Sequence, residues 1–210
     1  MASLQHFAFK RFLIVSIVLA VAALTPKVVI SAQEDVPYCH RYADFNFPDY
    51  MALWNYDDPE TTASTFFAML NMASSSMDKT FFSELLSQIA RTFVMREQYE
   101  DANHFLEQAK LYLDNAEPRA EAYYLREKAR LLTAKGQSEQ ATELLVESWH
   151  IADEEKYDQL AIETALDLSE AENISKAERK SWRNKALALS ELTSDQRAKM
   201  WVLQNPQRFI

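Results

Sequence analysis

Two pairs of an acidic residue and a histidine have the spacing that places both side chains on one face of a helix. Asp101 precedes His104 by three residues, and Glu147 precedes His150 in the same way. Helical metal-binding bundles use this arrangement, but a di-iron site needs two Glu-x-x-His motifs and two further glutamates that face inward. Only the second pair contains a glutamate, so we predict no metal site and expect both pairs to lie on solvated surfaces.

Nucleophilic and redox chemistry also lack the residues that they require. The chain has one cysteine, Cys39, which cannot form an internal disulfide, and the adjacent His40 supplies only a second metal ligand where stable sites use three or four. The single glycine, Gly136, argues against the glycine-rich turns that bind phosphates or dinucleotides and that expose nucleophilic serines. We therefore predict a protein that is not an enzyme, with no catalytic residues and no cofactor.

The charge balance argues against nucleic acid as the main partner. The chain carries 22 basic and 31 acidic residues, a net charge of −9. Three of the basic residues, Lys10, Arg11 and Lys27, lie in the first 32 positions, which contain no acidic residue. The remainder has 19 basic against 31 acidic residues and a net charge of −12, whereas nucleic acids and anionic lipid surfaces attract net basic proteins.

The N-terminal residues have the three parts of a secretory signal. Two basic residues precede an apolar run over residues 12–24, and the tract ends at Ala32 before an acidic segment. This pattern predicts a signal peptide over residues 1–32 and an exported protein, periplasmic or secreted, with no membrane association after cleavage. The run of 13 residues is shorter than the ~20 needed to cross a bilayer. The alternative is an uncleaved N-terminal membrane anchor, because Ile30 lies where signal cleavage favours a smaller residue.

Residues 33–57 contain two prolines and many aromatic residues, and they lack a helical period. This composition predicts an extended lead-in whose large side chains pack against the first helices, because aromatic side chains at this density usually become buried. The side chains concerned are Phe45, Phe47, Tyr50, Leu53 and Trp54. The alternative is an exposed aromatic motif that binds a partner.

From residue 58 onward the sequence predicts helices. Asp58 can cap a helix that begins at the following proline. Apolar residues from position 81 recur with a period near 3.6, in segments joined by short polar links, which predicts antiparallel helix pairs. Ser175 with Glu178 and Thr193 with Gln196 have the spacing of a capping box, which predicts the starts of two further helices.

Small residues recur where two helices of a pair would approach each other closely. Three pairs of alanines are each separated by twelve positions, and equivalent alanines of successive units are 36 to 39 residues apart. The pairs are Ala90 with Ala102, Ala129 with Ala141, and Ala165 with Ala177. We therefore predict an all-α domain over residues 58–210, built from about three antiparallel helix hairpins that stack on one another.

The segment over residues 86–113, "LSQIARTFVMREQYEDANHFLEQAKLYL", resembles the tetratricopeptide repeat. The family's signature positions hold Ile89, Ala90, Phe93, Tyr99, Ala102, Leu106 and Ala109. A second copy matches at Leu125, Ala129, Leu132, Gly136, Ala141, Leu145 and Ser148, and a third at Ala165, Leu168 and Ala177. The resemblance covers residues 81–190 and implies a short right-handed solenoid, although the unit exceeds the family's ~34 residues and lacks its closing proline.

The resemblance implies a non-enzymatic scaffold or adapter that binds a protein or peptide in a concave groove. In this family the first helix of each hairpin lines the groove. Transferring that pattern to this chain gives the groove residues Arg91, Met95, Tyr123, Arg126, Arg130 and Ile162. Three guanidinium groups in one groove suit a carboxylate or an acidic peptide segment as the bound group.

Two alternatives accompany this interpretation. The arginines can instead form ordinary ion pairs with the nearby Glu84, Glu121 and Glu127, each worth about 0 to 1 kcal/mol. The protein can instead be a structural module that associates with its own copies, because an array of about three hairpins has open ends that can stack.

Overall fold

The computed structural model describes residues 49–73 and 78–209. Over these two stretches the protein is all-α, as predicted, with eight α-helices and no strand. The helices are α1 (Pro59–Ala73), α2 (Lys79–Met95), α3 (Tyr99–Lys110), α4 (Pro118–Ala134), α5 (Ser138–Glu154), α6 (Asp158–Glu170), α7 (Lys176–Leu192) and α8 (Gln196–Gln204). Short 3-10 helices span Tyr50–Leu53, Leu113–Asn115 and Pro206–Phe209. The predicted signal peptide at 1–32 and positions 33–48 of the predicted lead-in lie outside the described residues.

Side-chain caps define the starts of several helices. The Asp58 carboxylate accepts the Thr61 backbone N–H at 3.0 Å, as expected at the start of α1. The capping box predicted for Ser175 and Glu178 is present at the start of α7. These two predictions from local sequence are confirmed, because a cap depends only on residues within one helical turn.

The capping box predicted for Thr193 is wrong. Asp195 caps α8 instead, and its carboxylate accepts the backbone N–H groups of Arg197 and Ala198. Thr193 ends α7, and its hydroxyl donates to the Asp158 carboxylate at 2.5 Å. A carboxylate complements the positive end of a helix better than a hydroxyl does, so the aspartate two positions later takes the cap.

The helices pack as consecutive antiparallel pairs. Helix α2 lies along α3, α4 along α5, and α6 along α7, while α4 and α6 each also contact the preceding pair. Five of the six predicted crossing alanines are buried, and these are Ala90, Ala102, Ala129, Ala141 and Ala165. The Ser83 hydroxyl donates to the Ala109 carbonyl at 3.0 Å, and Ser148 donates to the Ala122 carbonyl at 2.7 Å. Such bonds from a side chain to the facing backbone require the close helix approach that small residues permit.

The sixth alanine does not follow the pattern. Ala177 is exposed in the first turn of α7, and the buried small residue of that helix is Ala186. The link between α6 and α7, residues 171–175, is longer than the turns of the first two hairpins. Ala186 lies ten residues after the start of α7, as Ala109 does in α3 and Ser148 in α5. The third hairpin therefore keeps this buried small residue and lacks only the one near the start of its second helix, where Arg179 stands.

Three of the turns between helices share one backbone geometry. The residues Glu97, Gly136 and Lys156 have φ of 59°, 77° and 62°. The residue after each turn donates its N–H to a carbonyl five positions earlier, at 2.9, 2.9 and 2.8 Å. This is the Schellman ending of a helix, which requires one residue in the left-handed region. Gly136 takes this conformation without strain because it has no Cβ, whereas a glutamate and a lysine adopt it at the other two turns.

The two described ends of the chain meet over helices α2, α4 and α6. Tyr50 is buried, and its ring makes edge contacts with Phe66 of α1, Phe81 of α2 and Tyr123 of α4. At the other end, α8 packs on α6. An ion pair between Asp49 and Arg197, at 2.5 Å, joins the two ends.

The lead-in prediction is correct for packing and wrong for local conformation. Tyr50 and Trp54 pack against the first helices as predicted, but Tyr50–Leu53 is a 3-10 helix and not extended chain. The Asp49 carboxylate caps this turn by accepting the Met51 N–H at 3.0 Å. Leu53 is 42% exposed, and Phe45 and Phe47 lie outside the described residues.

Candidate functional site: the inner face of α2, α4 and α6

Helices α2, α4 and α6, the first of each pair, carry most of the buried polar side chains of the described residues. We call the surface that these side chains form the inner face. Its buried members are Glu84, Gln88 and Arg91 on α2, Arg126 and Glu127 on α4, and Gln159 and Glu163 on α6. Arg130 on α4 and Asp167 on α6 lie beside them and are partly exposed. Charged residues are rarely buried unless they are paired, so the partners of these groups decide what the inner face can bind.

An ionic cluster joins α4 to α6. Arg126 is fully buried, and its Nη1 and Nε atoms lie 2.6 Å from Glu163 and 2.8 Å from Asp167. Arg130 donates from Nη2 to the same Asp167 oxygen at 2.8 Å, and its Nε lies 3.2 Å from Glu127. Arg208, in the C-terminal 3-10 helix, donates to the other Asp167 oxygen at 3.0 Å. Asp167 is therefore the hub of the cluster and accepts from three guanidinium groups.

The charges in this cluster stabilise one another in their ionised forms. Burial alone would raise the pKa of Glu163, but Arg126 and the more distant Arg91 hold it below its ordinary value. Burial also opposes ionisation of Asp167, yet Arg126, Arg130 and Arg208 hold its pKa far below its ordinary value. These carboxylates are thus charged near neutral pH and unsuited to proton transfer there, since a general acid or base needs a pKa near the working pH.

A second network ties the N-terminal segment, residues 49–57, to α2. The Tyr50 hydroxyl donates to Glu84 at 2.5 Å, and Arg119 donates to the other Glu84 oxygen at 2.6 Å. Trp54 donates its indole N–H to Gln88 at 3.1 Å. Burial, followed by the nearby Glu84 charge, raises the pKa of Tyr50 well above its ordinary value, so its hydroxyl stays protonated as a donor.

Arg91 differs from the other arginines of the inner face. Its guanidinium lies over the rings of Trp54 and Tyr56, with centroid distances of 4.7 and 5.1 Å. The side chain is only 7% exposed, and it makes no hydrogen bond or ion pair with any described residue. The rings stabilise the cation by about 0.5 to 2 kcal/mol through cation–π contacts. These contacts do not use the hydrogen-bond donors of the guanidinium.

A cavity of about 760 Å³ opens beside Arg91, where the C-terminal ends of α2, α4 and α6 come together. We call it the groove cavity. Its lining includes Arg91, Val94, Met95, Arg130 and Leu145, together with the acidic residues Asp167, Glu170 and Glu172. This mixture of apolar side chains with a few charged groups is typical of ligand sites, which measure about 300 to 1,000 Å³.

The six predicted groove residues separate into two sets. Arg91, Met95 and Arg130 line the groove cavity, and Met95 is 42% exposed. The other three, Tyr123, Arg126 and Ile162, are buried among the helices. Three of the six residues are thus placed together at one cavity. The groove prediction is wrong for the other three, because their side chains pack between helices and are at most 2% exposed.

The predicted pairing partners of the arginines are only partly those that the structure shows. Arg130 does lie next to Glu127, but Glu84 pairs with Arg119, which sequence reasoning had not considered. The partners of Arg126 are Glu163 and Asp167, which sequence reasoning missed. The sequence did contain a pattern that indicates this pairing. Arg126 and Arg130 are one helical turn apart, and Glu163 and Asp167 have the same spacing 37 residues later.

Neither predicted acidic-histidine pair lies near the inner face cluster. His104 and His150 are both exposed, on α3 and α5. The part of the chain that the structure describes holds no group of three or more His, Cys, Asp or Glu side chains placed to hold a metal ion. Cys39 and His40 lie outside that part.

Compared with known proteins, the chain matches no family model and no curated protein. Within residues 49–73 and 78–209, no helix combines the length and the apolar character needed to cross a membrane.

Proposed function

We propose that this protein is an exported, non-enzymatic adapter of helical hairpins, related in design to the tetratricopeptide repeat, that binds a segment of another protein. The segment binds in the groove cavity, with its apolar side chains against Met95 and Val94 and an acidic group at Arg91. The observation that carries this proposal is the buried Arg91 guanidinium, which lines the cavity and has no carboxylate partner among the described residues.

The neighbouring charges favour Arg91 over Arg130 as the anchor for a partner. Asp167 already accepts from Arg126, Arg130 and Arg208, so the Arg130 charge is compensated within the protein. Arg91 is instead held by two aromatic rings, which leave its donors free. A guanidinium offers a planar pair of donors that matches a carboxylate, and the low exposure of the site strengthens such a bond.

Site-specific cross-linking tests the proposed surface. A photoactivatable amino acid replaces Met95, and the protein is irradiated in the compartment to which it is exported. We expect one partner segment to be captured repeatedly and identified by mass spectrometry. The same probe at Leu192, which is 82% exposed on α7 and lies outside the cavity, is the control. Equal capture from both positions would contradict the proposal.

The variant Arg91→Gln tests the role of the guanidinium. We expect capture through position 95 to fall at least tenfold, since a hydrogen bond to a charged group contributes about 1.5 to 3 kcal/mol. Arg96→Gln removes a matched guanidinium near the end of the same helix, where Arg96 lies over Phe93 and does not line the cavity. Capture that survives Arg91→Gln at full strength would rule out the proposed anchor.

A further inference from the structure

A second cavity lies between the two chain ends and is separate from the groove cavity. It measures about 670 Å³ and opens between the N-terminal segment and α8. We call it the end cavity. One wall carries Trp54 and Tyr56, and the opposite wall carries Met200 and Trp201.

Aromatic surface is available to a ligand in the end cavity. The Trp54 and Tyr56 rings are stacked, with centroids 5.1 Å apart and planes within 9° of each other. Tyr56 is 40% exposed, and across the cavity Met200 is 54% exposed. Two stacked rings form a rigid platform that loses little conformational entropy when a flat apolar face settles on it.

The polar lining of the end cavity is electrically neutral. Asp49 and Arg197 are the charged residues in the described lining, and they pair with each other at 2.5 Å. Apart from the tyrosine and tryptophan side chains, the remaining hydrogen-bonding side chains are amides, and they are Gln159, Gln196, Gln204 and Asn205. An amide both donates and accepts hydrogen bonds, so this lining matches ligand groups that also do both.

Two buried polar atoms at the walls of the end cavity lack partners among the described residues. These atoms are the indole N–H of Trp201 and the Oε1 of Gln159, whose Nε2 donates to Glu163 at 2.9 Å. Both residues are more than nine-tenths buried. Both atoms are covered by protein in this structure, so a ligand reaches them only if the lining shifts, and the exposed amides of Gln196 and Gln204 are the groups directly open to it.

We propose that the end cavity is a binding site for a neutral carbohydrate. A sugar ring has an apolar face of C–H groups that stacks on an aromatic ring, and hydroxyl groups around its edge that both donate and accept. The stacked Tyr56 and Trp54 rings meet the first requirement, and the amides of Gln159, Gln204 and Asn205 meet the second. A charged ligand would find no unpaired counter-charge in this lining.

The test uses neutral oligosaccharides as probes. Cellohexaose, chitohexaose, maltohexaose and xylohexaose are titrated into the full chain while tryptophan fluorescence and saturation-transfer NMR are recorded. We expect at least one of them to give a saturable fluorescence change and to receive magnetisation from the protein. If none of the four does so, the proposal is wrong.

Variants locate the binding. Tyr56→Ala should weaken binding about tenfold through loss of the stacked ring, and Tyr56→Phe, which keeps the ring, should retain it. Gln204→Ala should weaken binding about threefold to tenfold, whereas Gln140→Ala, which removes an exposed glutamine far from this lining, should not. Thermal melting of each variant confirms that it is folded.

Two further outcomes would overturn the proposal. Binding that is unaffected by both Tyr56→Ala and Gln204→Ala would place the sugar elsewhere. An uncharged, capped hexapeptide of serine and tyrosine that binds at these residues, where no oligosaccharide does, would assign the end cavity to a peptide. Tyr56 also contacts Arg91, so the result for Gln204→Ala, which leaves that contact unchanged, separates the end cavity from the groove cavity that Arg91→Gln tests.

Discussion

At the scale of single residues, the three turns show how one backbone geometry is imposed on different side chains. Glu97 and Lys156 take positive φ, a conformation that costs most residues about 1 to 2 kcal/mol, and Gly136 takes it freely. The helices on either side pack together only if the chain reverses within these few residues. Tertiary packing therefore stabilises a local conformation that the sequence favours at Gly136 alone.

We expect Gly136→Ala to lower the free energy of unfolding by about 1 kcal/mol. An added Cβ would meet no atom within 4 Å, so the cost comes only from the positive φ. Gly136→Asn should cost less, because asparagine tolerates the left-handed region better than alanine does. Urea denaturation of the three proteins measures the difference, and an alanine variant as stable as the parent would contradict this account of the turn.

The buried ion pairs give a second prediction at the residue scale. Glu163→Gln keeps the shape of the side chain but leaves the buried Arg126 with one carboxylate fewer. We expect a loss of about 3 to 5 kcal/mol in the free energy of unfolding. Glu170→Gln is the control on the same helix, because Glu170 is largely exposed and should change stability by less than about 0.5 kcal/mol. Comparable effects of the two substitutions, measured by chemical denaturation, would show that the cluster contributes little.

The same cluster sets the response of the protein to acid. Glu163 and Asp167 have pKa values in the folded state below their ordinary values of 4.5 and 3.8. A lowered pKa means that the unfolded chain binds the proton first, so the stabilisation is complete above the ordinary values and is lost as pH falls below them. We expect the free energy of unfolding to decrease as pH falls below about 5. In Glu163→Gln one titrating group is absent, so the slope of this decrease should be smaller by up to about 1.4 kcal/mol per pH unit. Parallel curves for the two proteins would contradict this assignment.

At the scale of helices, small residues determine how closely the two members of a hairpin approach. Ala102 and Ala109 on α3 and Ala141 on α5 are all buried against a facing helix. The hydrogen bonds from Ser83 and Ser148 to the facing backbone occur at the same two interfaces. Each interface thus combines a small apolar surface with one polar bond across the hairpin.

We expect Ala141→Leu to destabilise the protein by about 1 to 3 kcal/mol, because a larger side chain forces α4 and α5 apart. Ala177→Leu is the matched control. Ala177 stands at the equivalent position in the sequence pattern but is exposed on α7, so the change should alter stability by less than about 0.5 kcal/mol. Thermal and urea unfolding measure both, and equal losses would refute the role of the buried crossing.

At the scale of the whole molecule, α8 covers the last helix pair. Ala198 and Trp201 pack against Ile162 and Leu166 of α6 and Ala186 of α7. Helix α8 therefore covers part of the surface of the last pair and shields the apolar side chains of α6 from solvent.

Removal of residues 194–210 tests the covering role of α8. We expect the shortened protein to associate, because the deletion exposes Ile162 and Leu166 to solvent, whereas the full chain should scatter light as a monomer at every concentration tested. Multi-angle light scattering over a hundredfold range of concentration measures the difference. Association of the full chain to the same extent as the shortened one would favour the self-associating alternative.

The helical class, the pairing of the helices and the starts of α1 and α7 follow from the sequence alone. These features depend on apolar periodicity and on caps such as Asp58 and Ser175, whose partners lie within one turn of the same helix. The crossing alanines of the first two hairpins were also predictable, because the spacing between the two members of each pair is constant.

The electrostatics of the site were decided only by the tertiary structure. Arg91, Arg126 and Arg130 look alike in the sequence, but their ion pairs differ. Arg126 pairs with Glu163 and Asp167, and Arg130 pairs with Glu127 and Asp167. Arg91 pairs with no carboxylate of the described residues. Glu127 lies on the same helix as Arg130, but the other carboxylate partners lie on another helix, 37 residues away along the chain in the case of Arg126 and Glu163. Which charged residues meet across that separation depends on how the hairpins stack and on where the two chain ends lie. Local sequence patterns encode neither of these.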